Sequence, residues 1–219
     1  MLMIYLILNF LFPPKCVLCR SILAKNETDY CNHCRIHAPE FTKSKSPISF
    51  LAGWTAVWYY KDNVRRSILR FKFSGRRSYA PAYGRVLAMK LQKEHRDDFD
   101  ILTWVPIAPL RWLSRGYDQV ELLAEAVGKE LNVTPVRTLR KIRNTPPQSG
   151  IKDVYRRRAN VLGAYKAVSP EQVKGKRVLL LDDVLTTGAT ASECARVLLT
   201  AGAKEVFFAS IAVADDNTK

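Results

Sequence analysis

The sequence predicts an α/β fold, a parallel sheet flanked by helices, joined to a small N-terminal metal-binding ribbon. From residue 52 onward, short apolar runs typical of strands alternate with segments of helical periodicity. Parallel strands need such crossover connections, and alternation of this kind indicates a parallel sheet. The ribbon is indicated by two Cys-x-x-Cys pairs near the start of the chain. A chain of 219 residues, 47% hydrophobic, is long enough for both units.

The N-terminal unit is defined by its cysteines, and eleven residues separate the two pairs. Two such pairs supply four thiolates to one metal, the ligand set of a closed, structural zinc site. The predicted ligands are Cys16, Cys19, Cys31 and Cys34. Two disulfides are the alternative, which a reducing cytosol disfavours. His33 and His37 are expected on the surface. We assign residues 1–46 to this unit and residues 47–219 to the sheet domain, with the polar stretch 42–47 as linker.

The first twelve residues are almost wholly apolar. The run is too short to span a bilayer, no basic segment precedes it, and a metal knuckle rather than a cleavage site follows it. We expect a short helix packed on the main domain, with interfacial membrane contact as the less favoured alternative. The predicted location is cytoplasmic.

The elements of the sheet domain follow from periodicity. Residues 52–60 alternate small and aromatic side chains as a strand does, whereas Val64, Ile68 and Phe71 repeat at helical spacing. The predicted order from there is helix 64–72, helix 81–96, strand 101–107, loop 108–118, helix 119–131, strand 136–139, strand 161–167, strand 177–182, helix 191–201 and strand 206–213. Cys194 lies alone in the last helix and is expected to be a small buried hydrophobe.

The most informative segment is Val178–Thr190, VLLLDDVLTTGAT. Its apolar run predicts a central parallel strand, and Asp182 and Asp183 fall at the carboxyl end, where ligands bind in open α/β sheets. The following loop places hydroxyls and backbone N–H groups before a helix, which is typical of a phosphate site. Paired carboxylates beside it favour a phosphorylated sugar accompanied by magnesium. The alternative is a buried strand and a capped helix with an incidental acidic pair.

This segment resembles the phosphoribosyl-pyrophosphate (PRPP) signature of type I phosphoribosyltransferases, hydrophobic-D-D-V-x-T-T-G-x-T. The resemblance implies that Asp182 and Asp183 are the catalytic carboxylates, holding the ribose hydroxyls and compensating the positive charge of the transition state. It implies that the 5′-phosphate is bound by Thr186, Thr187, Gly188, Ala189 and Thr190. PRPP and magnesium are then the implied ligands.

Further matches extend the resemblance over nearly the whole chain. They are Val105-Pro106-Ile107, Arg111, Arg115–Gln119, Leu123-Ala124, Thr145–Gln148, Arg156-Arg157 and Asn160–Tyr165. Together with the ribbon, they resemble the ComF family of phosphoribosyltransferase-like proteins. That family implies competence, DNA uptake, single-stranded DNA binding and contact with proteins of the uptake machinery. The chain has Tyr117-Asp118 where the family commonly has Phe-Asn, and this difference affects the expected local contacts of the loop.

Basic segments supply the remaining candidate site residues. Arg115 and Gly116 resemble the segment that holds pyrophosphate in type I enzymes, and Lys72 is a candidate for a further phosphate contact. The segment 140–158 carries seven Lys or Arg residues and matches the family's flap. The chain has 35 Lys and Arg against 20 Asp and Glu, a net charge of +15, which favours polyanionic partners. Solvated surface cations are the alternative for each residue.

Two classes of function remain. The chain is a competence factor that binds PRPP and single-stranded DNA, or an active phosphoribosyltransferase with an unidentified base or amine acceptor and a pocket shaped by the ribbon. In the first class, stacking on bases would come from Trp54, Trp58, Trp104 and Trp112. The alternative for most of these tryptophans is a place in the core. The sequence identifies neither the acceptor nor turnover.

Overall fold

The computed structural model describes residues 12–42, 47–94, 98–145 and 159–214. Three predictions fall wholly or mostly outside these ranges. They are the helix at residues 1–12, the linker at residues 42–47 and the larger part of the flap at residues 140–158.

The described chain forms short elements around one parallel sheet. Its helices are α1 (Asn32–His37), α2 (Asp62–Phe73), α3 (Ala80–Lys93), α4 (Pro109–Arg115), α5 (Gln119–Leu131), α6 (Pro170–Val173) and α7 (Ala189–Thr200). Its strands are β1 (Gly53–Tyr59), β2 (Ile101–Trp104), β3 (Leu139–Lys141), β4 (Tyr165–Ala167), β5 (Arg177–Leu185) and β6 (Glu205–Val213).

The main sheet has the strand order β1-β6-β5-β2, and every pairing in it is parallel. Strand β5 lies inside the sheet, with Leu181 opposite Ala209 of β6 and Trp104 of β2. A strand in this position is covered on both faces, which explains its continuous apolar run. The predicted parallel α/β sheet is therefore confirmed.

Two core clusters cover the two faces of the sheet. One cluster contains Leu179 and Leu181 together with residues of α2, α3 and α5. The other contains Val178 and Leu180 together with residues of α7, β3 and β4. Because successive side chains of a strand point to opposite faces, alternate residues of β5 belong to different layers. This alternation also sets where the acidic residues point.

Two expectations about local structure are wrong. The segment predicted as the loop 108–118 contains α4, which begins at Pro109, a position where the missing proline N–H is not needed. It ends at Gly116, whose φ of +72° glycine adopts readily and whose N–H donates to the Trp112 carbonyl over 2.7 Å. The strands expected at 136–139 and 161–167 do not join the parallel sheet. The first lies later in the chain, as β3, the second shortens to β4, and the two form a separate antiparallel pair.

The cysteine-containing segment is attached to the sheet domain at two places. Glu40 forms an antiparallel bridge with Trp58 at the free edge of β1, and the Phe41 N–H donates to the Val57 carbonyl over 2.9 Å. On α2, the Ser67 hydroxyl donates to the Val17 carbonyl, and Arg70 Nη2 donates to the Leu18 carbonyl over 2.6 Å. These contacts pack the segment against β1 and α2.

In the described part of the chain, none of the helices combines the length and the apolar character that crossing a membrane requires.

Candidate functional site

The four cysteines predicted as metal ligands lie together. Their Sγ atoms all fall within 4.8 Å of one another, and those of Cys19 and Cys31 are 3.6 Å apart. A tetrahedral zinc ion with Zn–S bonds of about 2.3 Å separates its sulfurs by about 3.8 Å. The cluster therefore fits one zinc ion with a closed thiolate shell. His33 and His37 are exposed, as expected for surface histidines, and do not belong to the cluster.

A cleft of about 660 Å³ opens at the carboxyl ends of β5 and β2. Most of the predicted ligand-binding residues line it: Lys72, Arg115, Asp182, Asp183, Thr186, Gly188 and Thr190. Gly116, Thr187 and Ala189 are sequence neighbours of residues that line the cleft, but they do not line it themselves. Residues from α2, α4, α5, β5 and α7 thus meet at one edge of the sheet, as the strand order requires.

Asp183 is buried, at 4% exposure, and both of its carboxylate oxygens have partners. Lys72 Nζ lies 2.8 Å from Oδ1, and Gln119 Nε2 donates to Oδ2 over 2.8 Å. Burial by itself lowers the pKa of Lys72, but the charge and hydrogen bond of Asp183 outweigh it, so the pKa is raised. The buried carboxylate is therefore compensated by a charged lysine and an amide.

Asp182 points to the other face of the sheet, toward α7 and β4. It is half-buried, and its Oδ1 accepts the Asp183 N–H over 2.7 Å. No cationic side chain of the described residues lies within ion-pairing distance of it. Burial, reinforced by the charge of Asp183, raises its pKa well above the usual carboxyl range. Strand β5 continues to Leu185, so both acids lie within the strand rather than at its end.

The loop after β5 has the geometry of an anion cradle. Gly188 has a φ of +76° and precedes α7, and a Cβ there would lie 3.1 Å from the Ile48 side chain, so glycine fits best. The Thr187 hydroxyl is buried without a hydrogen-bond partner among the described residues. Orphaned buried hydroxyls are uncommon. A phosphate at the N-terminus of α7 would supply the missing acceptor.

Arg115 ends α4 and reaches toward α5. Its Nη1 donates to Gln119 Oε1 over 2.8 Å, and its guanidinium lies 4.6 Å from the centre of the Phe73 ring. Gln119 therefore connects Arg115 to Asp183. The Gly116 carbonyl accepts from Arg77 Nη2 over 2.9 Å. Gly116 thus serves as the helix cap, and no ligand is needed to explain it.

Asp118 shows what the departure from Phe-Asn does locally. It caps α5, accepting N–H groups from Val120 over 2.9 Å and from Glu121 over 3.3 Å on Oδ1. Its Oδ2 accepts the Ile107 N–H over 3.0 Å. An aspartate therefore satisfies the backbone here, at the N-cap position that it favours.

Three residues of the cleft were not predicted as site residues. Gln119 belongs to the Arg115–Gln119 motif, and that motif is the sequence feature that could have identified it. Arg111 and Lys141 also line the cleft. Lys141 falls in the segment predicted as the basic flap, although it is only 7% exposed. Its place on β3, next to Tyr165 of β4, is a tertiary feature that the basic composition of the segment conceals.

The tryptophans mostly follow the alternative given for them. Trp54, Trp58 and Trp104 are 5–7% exposed and belong to the core, so of the four only Trp112, at 52%, is exposed enough to stack on a nucleobase. The described residues 12–42 of the ribbon do not line this cleft, and a role of the ribbon in shaping an acceptor pocket stays a prediction. Cys194 is fully buried, as predicted.

Comparison with known proteins agrees with this architecture. Residues 119–219 match the phosphoribosyl transferase domain family. Competence protein F of Haemophilus influenzae is 27% identical over 88% of this chain and 82% of its own length. Competence protein ComFC of Bacillus subtilis is 29% identical over 85% and 78%. DNA utilization protein YhgH of Escherichia coli O157:H7 is 28% identical over 87% and 86%.

These relatives cover 85–88% of the chain. The sheet domain has the type I phosphoribosyltransferase fold, a parallel sheet flanked by helices. The four cysteines form a cluster able to hold zinc at its N-terminal side. Over most of its length the chain is similar to competence proteins of the ComF family.

Proposed function

We propose that this protein binds PRPP with magnesium at the cleft and takes part in DNA uptake in the cytoplasm. One observation carries the ligand assignment: the loop at the N-terminus of α7 lines the same cleft as the carboxylate of Asp182, and the Thr187 hydroxyl of that loop is buried without a partner among the described residues. A phosphate satisfies the helix N-terminus and the hydroxyl, and neutral sugar hydroxyls satisfy the carboxylate. A sugar phosphate combines both in one molecule.

In this arrangement the two carboxylates have different tasks. The 5′-phosphate lies in the loop from Thr186 to Thr190, and Asp182 accepts hydrogen bonds from the ribose hydroxyls. Asp183, already held by Lys72 and Gln119, keeps these side chains in place. Its charge also favours a ribose that becomes cationic as the glycosidic bond breaks.

The pyrophosphate of PRPP is assigned to the side of the cleft that carries Arg115 and Lys72. Magnesium bound with PRPP would neutralise the pyrophosphate and assist its departure. Arg115 offers a planar guanidinium donor at the end of α4, next to Gln119. Gly116 is retained in this proposal as the cap that orients Arg115.

Single-stranded DNA binding is the second part of the proposal. The names of the relatives, competence protein and DNA utilization protein, support a role in handling DNA. Phe73 is 66% exposed and Trp112 is 52% exposed, both close to the cleft, and Arg76 is exposed nearby. Aromatic rings with neighbouring cations bind single strands by stacking and phosphate contacts. Proteins of the uptake machinery are the expected partners.

Calorimetric titration tests both parts on the zinc-loaded protein. We expect ribose 5-phosphate and magnesium–PRPP to bind, and the Asp182→Asn variant to bind both more weakly. A Phe73→Ala, Trp112→Ala variant should bind a short single-stranded oligonucleotide more weakly at fixed salt while retaining ribose 5-phosphate binding. A wild-type protein that binds neither sugar phosphate would contradict the proposal.

Phosphoribosyl transfer is the second candidate function. Two features favour it. Asp182 has no cationic partner among the described residues, and two further cations, Arg111 and Lys141, line the same cleft as Lys72. Release of pyrophosphate from PRPP, measured with a coupled phosphate assay over a panel of bases and amines, tests it. Hydrolysis no faster than in buffer with every acceptor would argue for ligand binding alone.

A further inference from the structure

Lys141 is a buried cation in the wall of the cleft. It is only 7% exposed, its Nζ lies 5.0 Å from the centre of the Tyr165 ring, and its side chain lines the cleft. Among residues 12–42, 47–94, 98–145 and 159–214, no carboxylate lies within salt-bridge distance of it. A buried charge without a partner is unfavourable, so such a lysine is a ready receptor for an anion.

Arg111 reinforces this positive site. It also lines the cleft, and its Nη2 donates to the Thr145 carbonyl over 3.0 Å, which holds the guanidinium in place without neutralising it. Burial lowers the pKa of Lys141, and the charge of Arg111 lowers it further. The negative charge of an incoming anion would oppose both effects. Lys72, by contrast, is already paired with Asp183.

Lys72 and Lys141 both line the cleft, but they approach it from opposite faces of the sheet. Lys72 meets Asp183 on the face covered by α2 and α5, whereas Lys141 of β3 lies with Tyr165 on the face covered by α7. Asp182 points to this second face. A ribose held by Asp182 at the strand edge therefore lies between two positively charged walls.

Displacement at a saturated sugar carbon brings the incoming group to the face opposite the leaving group. With pyrophosphate on the Lys72 and Arg115 side, the second ligand approaches from the Lys141 side. We propose that Lys141 and Arg111 form an oxyanion subsite for a carboxylate or phosphate group of that second ligand. This inference rests on the proposed binding of PRPP.

The step, if transfer occurs, balances simply. The nucleophilic atom of the second ligand donates an electron pair to the anomeric carbon while the carbon–oxygen bond to pyrophosphate breaks. Pyrophosphate leaves with that electron pair, and the proton of the nucleophile is released to water. Lys141 and Arg111 hold the acidic group of the second ligand and take no part in bond breaking.

The test uses two simple acids, benzoate and phenyl phosphate, titrated calorimetrically into full-length protein saturated with ribose 5-phosphate. We expect at least one of them to bind, and Lys141→Met to weaken that binding about tenfold or more, the loss typical of a charge-assisted contact. Lys141→Arg keeps the charge and should lose less affinity than Lys141→Met. Lys166→Met is the matched control. Lys166 is an exposed lysine on β4, and its substitution removes the same charge outside the cleft.

Each outcome separates the two proposals. If neither acid binds the wild type, or if Lys141→Met and Lys166→Met bind equally well, the oxyanion subsite is wrong. Loss of pyrophosphate and PRPP affinity in Lys141→Met, with acid binding unchanged, assigns the lysine to the leaving group and also overturns the inference. If ribose 5-phosphate itself does not bind, the proposed function is wrong. The oxyanion subsite is then still tested by comparing the affinities of the wild type and of Lys141→Met for the two acids. Thermal melting identifies a variant that does not fold.

Discussion

The cysteine cluster takes all its ligands from the stretch between Cys16 and Cys34. The cleft takes side chains from α2, α4, α5, β3, β5 and α7, which are spread over the sequence between Tyr60 and Phe208. The first site contains one six-residue helix and has little core of its own, so we expect its geometry to depend on a bound metal. The second is held by the two core clusters on either side of β5. A local spacing specifies the first site, and tertiary packing specifies the second.

Removing zinc should produce the largest effect and separate the two regions. Structural zinc contributes about 10 kcal/mol or more to the folding of small zinc-binding modules. We expect Cys16→Ser with Cys19→Ser to lose the metal, measured by elemental analysis, and to lose amide protection in residues 12–42, measured by hydrogen exchange. Amide protection in β5 and β6 should persist.

Cys194→Ser is the control for that experiment, because Cys194 is fully buried in the other region. It should retain one zinc per chain. Equal loss of amide protection in the ribbon and in β5 after zinc removal would contradict the separation of the two regions.

Replacing Lys72 tests how far the cleft depends on its own polar contacts. Lys72→Met leaves the buried carboxylate of Asp183 without its cation, and we expect a loss of about 3 kcal/mol in urea unfolding at pH 7. Adding Asp183→Asn removes the unpaired charge and should recover part of the loss. Because the pKa of Lys72 is raised in the folded state, the wild-type contribution should be present below the unfolded lysine pKa and disappear as the pH rises through the folded one.

Asp182→Asn should weaken ribose 5-phosphate binding by about tenfold to a hundredfold, the range expected for charge-assisted hydrogen bonds. Folding stability at pH 7 should stay the same or rise, because burial disfavours the ionised carboxylate. The pKa of Asp182 is raised on folding, so its ionisation lowers the stability of the wild type at high pH. This loss of stability shrinks as the pH falls below the folded-state pKa and is gone below the unfolded-state pKa. The free energies of unfolding of the two proteins should therefore converge on acidification. Asp98→Asn, at a side chain 78% exposed, is the control and should leave affinity unchanged.

The smallest effect is expected at Thr187. Thr187→Val removes a buried hydroxyl that has no partner, so stability should be unchanged or slightly higher. Ribose 5-phosphate affinity should fall about fivefold, the value of one neutral hydrogen bond. Thr200→Val, at the other end of α7, is the matched control. A Thr187→Val protein that binds as tightly as wild type would exclude this hydroxyl from the phosphate contact.

The order of strands and helices in the main sheet could be predicted because each element buries a continuous apolar run or stripe. The exceptions depend on partners distant in sequence. Residues 136–139 and 161–167 look like ordinary strands, but β3 and β4 pair with each other and contribute to the same core cluster as α7. Helix α4 is short and exposes Leu110 and Leu113, so it lacks the buried stripe that identifies a helix from sequence.

The site could be predicted where a motif is contiguous. Asp182, Asp183 and the threonine loop follow one another in the chain, and the four cysteines have a fixed spacing. Strand alternation nevertheless sends the two acids to opposite faces, which the motif alone does not separate. Gln119 and Lys141 become visible as site residues only when α5 and β3 are packed beside β5.

Helix α2 joins the two regions directly. Ser67 and Arg70 hold the backbone of Val17 and Leu18, and two residues beyond Arg70 the same rigid helix presents Lys72 to Asp183. The cysteine cluster and the proposed sugar-phosphate site therefore share one helix. Under the proposed function, any factor by which zinc changes the affinity for the sugar phosphate through this helix must equal the factor by which the sugar phosphate changes the affinity for zinc.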